Sequence, residues 1–126
     1  MASSYRDLMI HADAMLLYKK THKLTQRLPG YEIYGLGSQA RRASDSIVTN
    51  IVEGYGRKNY RNEFLRFLRI SHASSLELVC HLEKISMVHE SLSSEAVQLT
   101  HEVELLSKRI HHFIKYVDKH WRSESL

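Results

Sequence analysis

Nine histidines in 126 residues make metal binding the first chemistry to test. His11, His22, His72, His81, His89, His101, His111, His112 and His120 never stand four apart on one helix face. None follows a glutamate at the Glu-x-x-His spacing of di-iron bundles. They read as scattered, non-ligating side chains, and no metal or other cofactor is expected. No glycine-flanked serine elbow occurs, and Cys80 has only His81 and Lys84 as nearby bases. A Gly-x-x-x-x-Gly-Lys phosphate cradle is also missing. No catalytic residue is assigned, and the chain is not expected to be an enzyme.

Two other constellations are more informative. Ser38, Arg42, Ser46 and Asn50 recur every four residues, with Glu53 three beyond, so they stack along one edge of a helix. An arginine and a glutamate partly buried among small hydroxyls imply a hydrogen-bonded network that holds helices in register. The same residues could instead line a ligand groove. Farther on, Tyr55-Gly56-Arg57-Lys58-Asn59-Tyr60-Arg61-Asn62-Glu63, followed by Arg66 and Arg69, sets five basic residues against one acid between 55 and 69. Cations supply charge for a phosphate backbone, and interleaved tyrosines supply rings for base stacking. Arg41, Arg42, Arg57, Lys58 and Arg61 are therefore the candidate nucleic-acid contacts. A solvated turn explains the pattern too, as do salt bridges to the acidic second part, and Arg41 and Arg42 can equally pair with Asp45 and Glu53.

Four segments of helical period must position these groups, near 5–28, 37–55, 60–90 and 93–121. In the first, Ile10, Ala14, Leu17, Leu24 and Leu28 share a face, and Pro29-Gly30 stops the helix. The second runs Leu36, Ala40, Ala43, Ile47, Ile51 and closes at Gly54-Tyr55-Gly56, where a glycine can turn left-handed. The third carries Phe64, Phe67, Leu68, Leu78, Leu82 and Ile85 on one side, while Leu65, Leu76, Val79 and Met87 widen its apolar surface toward a second neighbour. In the fourth, Ala96, Leu99, Val103, Leu106, Ile110, Phe113 and Val117 alternate steps of three and four, a bundle seam. Ser93 or Ser94 is placed to cap it, with Glu95 against the positive end of its dipole. Short connections make sequential helices antiparallel, so the expected fold is all-α, an up-down four-helix bundle forming one domain over 1–126.

Composition agrees. One proline and five glycines leave few helix breaks, and the lone Cys80 in an apolar helical pattern reads as a buried, reduced thiol. No apolar run approaches the ~18 residues of a membrane span, and the opening lacks a basic stretch leading into an apolar one. A cytoplasmic protein with frayed termini at Met1–Ser4 and Arg122–Leu126 is expected. The net charge of +4 is uneven: residues 1–72 carry 12 Lys/Arg against 6 Asp/Glu, and residues 73–126 carry 6 against 8. This asymmetry points to a polyanionic partner for the first part or to charge pairing within or between chains.

The run from Tyr34 through Gly35-Leu36-Gly37-Ser38 and Ala40-Arg41-Arg42-Ala43-Ser44 to Asn50-Ile51-Val52-Glu53-Gly54-Tyr55-Gly56-Arg57 resembles the signature of a known family. These are the four helix bundle proteins encoded within intervening sequences of bacterial 23S ribosomal RNA genes. Tyr5-Arg6-Asp7-Leu8, Glu63-Phe64-Leu65-Arg66-Phe67-Leu68 and Ser74-Ser75-Leu76-Glu77-Leu78 continue the likeness. The family pattern coincides with Ser38, Arg42, Ser46, Asn50, Glu53 and Glu77, taken here as the polar network, and with Gly54, Arg57 and Glu63. Asp45, Val48 and Val52 depart from its commoner form. The resemblance implies an antiparallel four-helix fold, a homo-oligomer built as a ring of five, and a basic surface for RNA or DNA. A group similar in fold, the accessory variability determinant of diversity-generating retroelements, implies the alternative of a scaffold that docks a protein partner such as a polymerase.

Overall fold

The computed structural model describes residues 4, 5 and 8–123. Arg6 and Asp7 of the opening motif lie outside the described residues, as does most of the expected terminal fraying. Among the described residues, four long helices and one single-turn helix run in the order α1 (Met9–Thr25), α2 (Gly30–Ile33), α3 (Leu36–Gly56), α4 (Arg61–Val88) and α5 (Ser93–His120). A 3-10 turn, Glu90–Leu92, joins α4 to α5.

Each long helix packs on its neighbours in sequence, α1 on α3, α3 on α4 and α4 on α5, and the set closes with α5 back against α1. This is the up-down bundle that short connections dictate. The α3–α4 and α4–α5 seams are the most extensive, and the α1–α5 seam is the most open of the four. Its floor, at Leu24 and Leu99, is flanked by ion pairs.

The heptad steps fall inward as spacing predicts. Ile10, Ala14, Leu17, Leu24 and Leu28 are buried, as are Ala40, Ala43, Ile47 and Ile51, and Ala96, Leu99, Val103, Leu106, Ile110 and Val117. Thr21 fills the step between Leu17 and Leu24, fully buried with its hydroxyl lacking a partner. On α4, Leu65 joins the core and Val79 is half-buried, so the broad apolar surface does serve two neighbours. Leu76 and Met87 remain exposed.

Several local expectations are corrected. α1 starts at Met9 instead of near residue 5, because Leu8 is extended and its N–H turns back to the Tyr5 carbonyl. It ends at Thr25, where the Arg27 and Leu28 amides reach carbonyls only three residues back, the tightening that precedes Pro29. No described glycine has a positive φ, so Gly54 is not a left-handed cap. It lets α3 approach α4, since a Cβ there would meet Phe67 Cβ at 3.1 Å and Phe64 Cδ1 at 3.3 Å. Neither Ser93 nor Ser94 caps α5; Leu92 is at the cap, and the Ser93 hydroxyl instead meets that of Ser86 at 3.0 Å. Cys80 is exposed, on the α4 face turned from both neighbours, which it shares with Ala73, Leu76 and Met87.

Both ends of the bundle are tied across the chain. At one end, His89 Nε2 lies 2.8 Å from Glu32 Oε2, joining the α4–α5 connection to α2. At the other, Phe64 is fully buried beneath edge-on contacts from Tyr55, Phe113 and Trp121, with ring centroids 5.1–6.2 Å away. Trp121 Nε1 also donates to the Lys58 carbonyl at 2.8 Å, so the end of α5 is fastened to the α3–α4 corner.

Candidate nucleic-acid interface

That aromatic cluster is the base on which the basic corner stands. Arg57 is at the C-cap of α3, and Arg61 opens α4 after Tyr60, whose extended backbone marks the turn. Arg57 is exposed, with its guanidinium 3.6 Å from Glu53 and 3.7 Å from Glu63. Its Cζ also lies 4.9 Å from the centroid of the Phe67 ring, and the Cζ of Arg66 lies 4.7 Å from the same centroid. Lys58 is half-buried, its ammonium over the Tyr55 ring at 4.3 Å and donating to the Tyr55 hydroxyl at 3.0 Å. Tyr60 is half exposed.

Arg61 is held across the bundle by the carboxylate and carbonyl of Asp118. Arg41 turns inward: Nη1 donates to Thr25 Oγ1 at 3.0 Å and Nη2 to the Ile33 carbonyl at 2.8 Å. It closes the junction of α1, α2 and α3, and with both Nη atoms engaged there it makes no ion pair with Asp45 among the described residues. Arg42 alone of the five lies exposed over the α3–α4 groove, which Gln39, Ala43, Ser46 and Glu77 also line. The five cations expected to act together are thus spread over three environments. Arg57, Lys58 and Arg61 meet at the corner, while Arg41 and Arg42 sit farther up α3.

The polar line divides in the same way. Ser46 Oγ lies 2.7 Å from Ser74 Oγ, and Asn50 Nδ2 donates to the Ser46 carbonyl at 2.8 Å and to its hydroxyl at 3.0 Å. Ser71 adds a second link, donating to the Ile47 carbonyl at 2.8 Å. These bonds tie α3 to α4 at the middle of the line. Arg42 and Glu53, expected to be partly buried, are exposed; a network centred on Ser46 needs neither of them. Glu77 is exposed beside the groove and pairs with His81 at 3.2 Å. Among the described residues, no group of three His, Cys, Asp or Glu is close enough to hold a metal ion, and no helix is long and apolar enough to cross a membrane.

Charge pairing within the chain absorbs part of the asymmetry. Lys20, Arg27 and Arg61 of the basic part meet Glu102, Glu95 and Asp118 of the acidic part. The Arg27 hydrogen bond holds the Glu95 carboxyl below its ordinary range, and Glu95 raises Arg27 in return.

Splitting the chain at residue 72 hid one group of cations. Lys108, Lys115 and Lys119 lie exposed on α5, in the part counted as acidic. The signal that finds them is a charge count over a window of one helix, with their helical spacing, instead of a count over half the chain.

No curated protein matches the chain. A family model described as 23S rRNA-intervening sequence protein matches residues 6–112, a range running from just before α1 well into α5. With most of its length inside that match and its helices packed in sequence as a bundle, the chain belongs to the 23S rRNA-intervening sequence protein family.

Proposed function

We propose that this protein is a non-enzymatic, homo-oligomeric bundle that binds nucleic acid through the cations at its α3–α4 corner. The observation that carries the reading is exposed Arg57 next to half-buried Lys58 and half-exposed Tyr60, on a turn packed on the Phe64, Tyr55 and Trp121 rings. A fixed turn holds charges for phosphate contact without ordering a loop on binding. Self-assembly is supported by the apolar side chains left on α4, where Leu76 is 54% and Met87 85% exposed. A ring of five is what the sequence resemblance implies, and light scattering of the purified protein tests it.

The direct test is fluorescence-anisotropy titration with labelled structured RNA, duplex DNA and single strands at two salt concentrations. Arg57→Glu/Lys58→Glu should weaken binding at least tenfold while the circular dichroism stays that of the wild type. Arg61 is left unchanged because its bond to Asp118 braces the fold. Unchanged affinity in this variant would remove the corner from the interface.

The alternative is a scaffold that docks a protein partner such as a polymerase. It is supported by Arg57 being shared by Glu53 and Glu63, which leaves less free charge for phosphate. Phosphate contacts release counterions and weaken steeply with salt, whereas docking on the apolar face of α4 would not.

A further inference from the structure

Residues 108–122 hold five Lys/Arg against one Asp, a net +4 equal to that of the whole chain. Two of these charges are engaged elsewhere: Arg109 reaches Asp13 of α1 at 2.7 Å, and Asp118 is held by Arg61. Arg122 lies past the end of α5, and on the helix itself Lys108, Lys115 and Lys119 remain, exposed and with no ion pair among the described residues. Glu104, four residues before Lys108, turns to His101 at 3.5 Å instead.

Lys108, His112, Lys115 and Lys119 step by four, three and four, a line on the opposite side of α5 from buried Val103, Ile110 and Val117. The helix dipole accounts for Lys119 in the last turn but not for Lys108, three turns before the end. Lys115 and Lys119 are like charges at i, i+4, a spacing that weakens a helix. Fold stability therefore gives no reason for the line. From Lys108 to Lys119 it extends about 16 Å, in reach of a short run of backbone phosphates.

An aromatic platform lies beside it. Tyr116 is 52% exposed, its ring stacked on Phe113 at 6.3 Å and 5.1 Å from that of His120. The track also continues into the corner, because Trp121 bonds the Lys58 carbonyl and Ser123 Oγ accepts the Arg61 N–H at 3.0 Å. Lys115, Tyr116 and Lys119 lie beyond the family match, which ends at residue 112.

We infer that Lys108, Lys115 and Lys119 bind the phosphates of single-stranded nucleic acid, that Tyr116 stacks a base, and that the strand continues onto the α3–α4 corner. The inference rests on the nucleic-acid reading above and extends its contact surface along α5. Exposed aromatic rings beside a cationic groove are what single strands use, and a duplex, with its bases stacked inside, cannot offer a face to Tyr116.

The test uses the full chain and a labelled mixed-sequence 20-nucleotide RNA, with the corresponding duplex and anionic phospholipid vesicles as further arms. Lys108→Glu/Lys115→Glu/Lys119→Glu should lose at least tenfold in affinity at 50 mM salt. Replacing the same three by arginine should restore binding. The slope of log affinity against log salt should fall by about two in the glutamate variant, near 0.7 for each lost contact. Tyr116→Ala should weaken single-strand binding roughly tenfold and duplex binding little. If the wild type binds RNA and the folded glutamate variant binds equally well, the track is wrong while the corner reading stands. Preference for the duplex, or binding to vesicles without binding to RNA, would also overturn it. If no nucleic acid binds at low salt, both the reading and the track fall together.

Discussion

Lys20 Nζ on α1 lies 2.5 Å from Glu102 Oε1 on α5, the middle rung of a ladder of three ion pairs. The outer rungs, Asp13–Arg109 and Arg27–Glu95, stand seven residues away along the sequence in opposite directions, with Arg27 two residues past the end of α1. Seven residues are nearly two helical turns, so the rungs share one edge of each helix and record the antiparallel register of α1 against α5. This seam is the most open of the four, and charge defines it where packing does less.

The middle rung can be tested by reversal. Lys20→Glu should destabilise the fold by about 0.5 kcal/mol, the modest scale of part-exposed pairs. Lys20→Glu/Glu102→Lys should recover most of that, and both effects should shrink in 1 M salt. Urea denaturation measures them. A double variant no more stable than the single one would show that the two side chains do not face each other.

The bundle was legible because heptad steps report burial directly: the steps from Ala96 to Val117 and from Ala40 to Ile51 face the core. Side-chain destinations were less so. Arg41 and Arg42 are adjacent in sequence, yet a 100° turn per residue sends one to Thr25 and leaves the other in solvent. Cys80 sits in an apolar pattern, but that pattern belongs to the outer face of α4. Sequence periodicity identifies a stripe without saying what covers it. The ion-pair ladder was hidden for another reason, since its partners are 68 to 96 residues apart.

Gly54 packs against Phe64 and Phe67, so its value is space and not backbone freedom. In Gly54→Ala the gain in helix propensity, about 1 kcal/mol, is opposed by overpacking of about 1–3 kcal/mol. The net expectation is a loss of about 1 kcal/mol. At Gly56 an added Cβ would meet nothing within 4 Å, so alanine should be tolerated there with no loss. Equal behaviour of the two variants in thermal unfolding would rule out a close α3–α4 approach at Gly54.

His72 on α4 lies 5.7 Å, ring to ring, from His111 on α5. Burial, and then the neighbouring imidazole, holds His72 below its ordinary value of 6.5. The folded state therefore favours the neutral ring, and near pH 6 the unfolded chain binds more protons. Its contribution is complete above 6.5 and is lost as pH falls through the lowered value in the fold. His72→Gln should make stability fall less steeply between pH 7.5 and 5.5 in urea titrations. An unchanged slope would mean that His72 is not the group responsible.

Arg41 and Arg42 separate folding from binding. The Arg41 bonds to Thr25 and to the Ile33 carbonyl join α3 to the end of α1, so Arg41→Ala should lower stability by about 2 kcal/mol, the scale of hydrogen bonds from a charged donor. The loss leaves Thr25 anchored to the Thr21 carbonyl at 2.9 Å, so the helix end itself survives. Affinity of the folded Arg41→Ala fraction for RNA should match the wild type, because this guanidinium faces protein. Arg42→Ala should stay within about 0.5 kcal/mol of the wild type, as a surface change does. Any loss of affinity in that variant would extend the interface from the corner to the α3–α4 groove. If instead Arg41→Ala loses RNA affinity without losing stability, its inward placement is not the one that operates in solution.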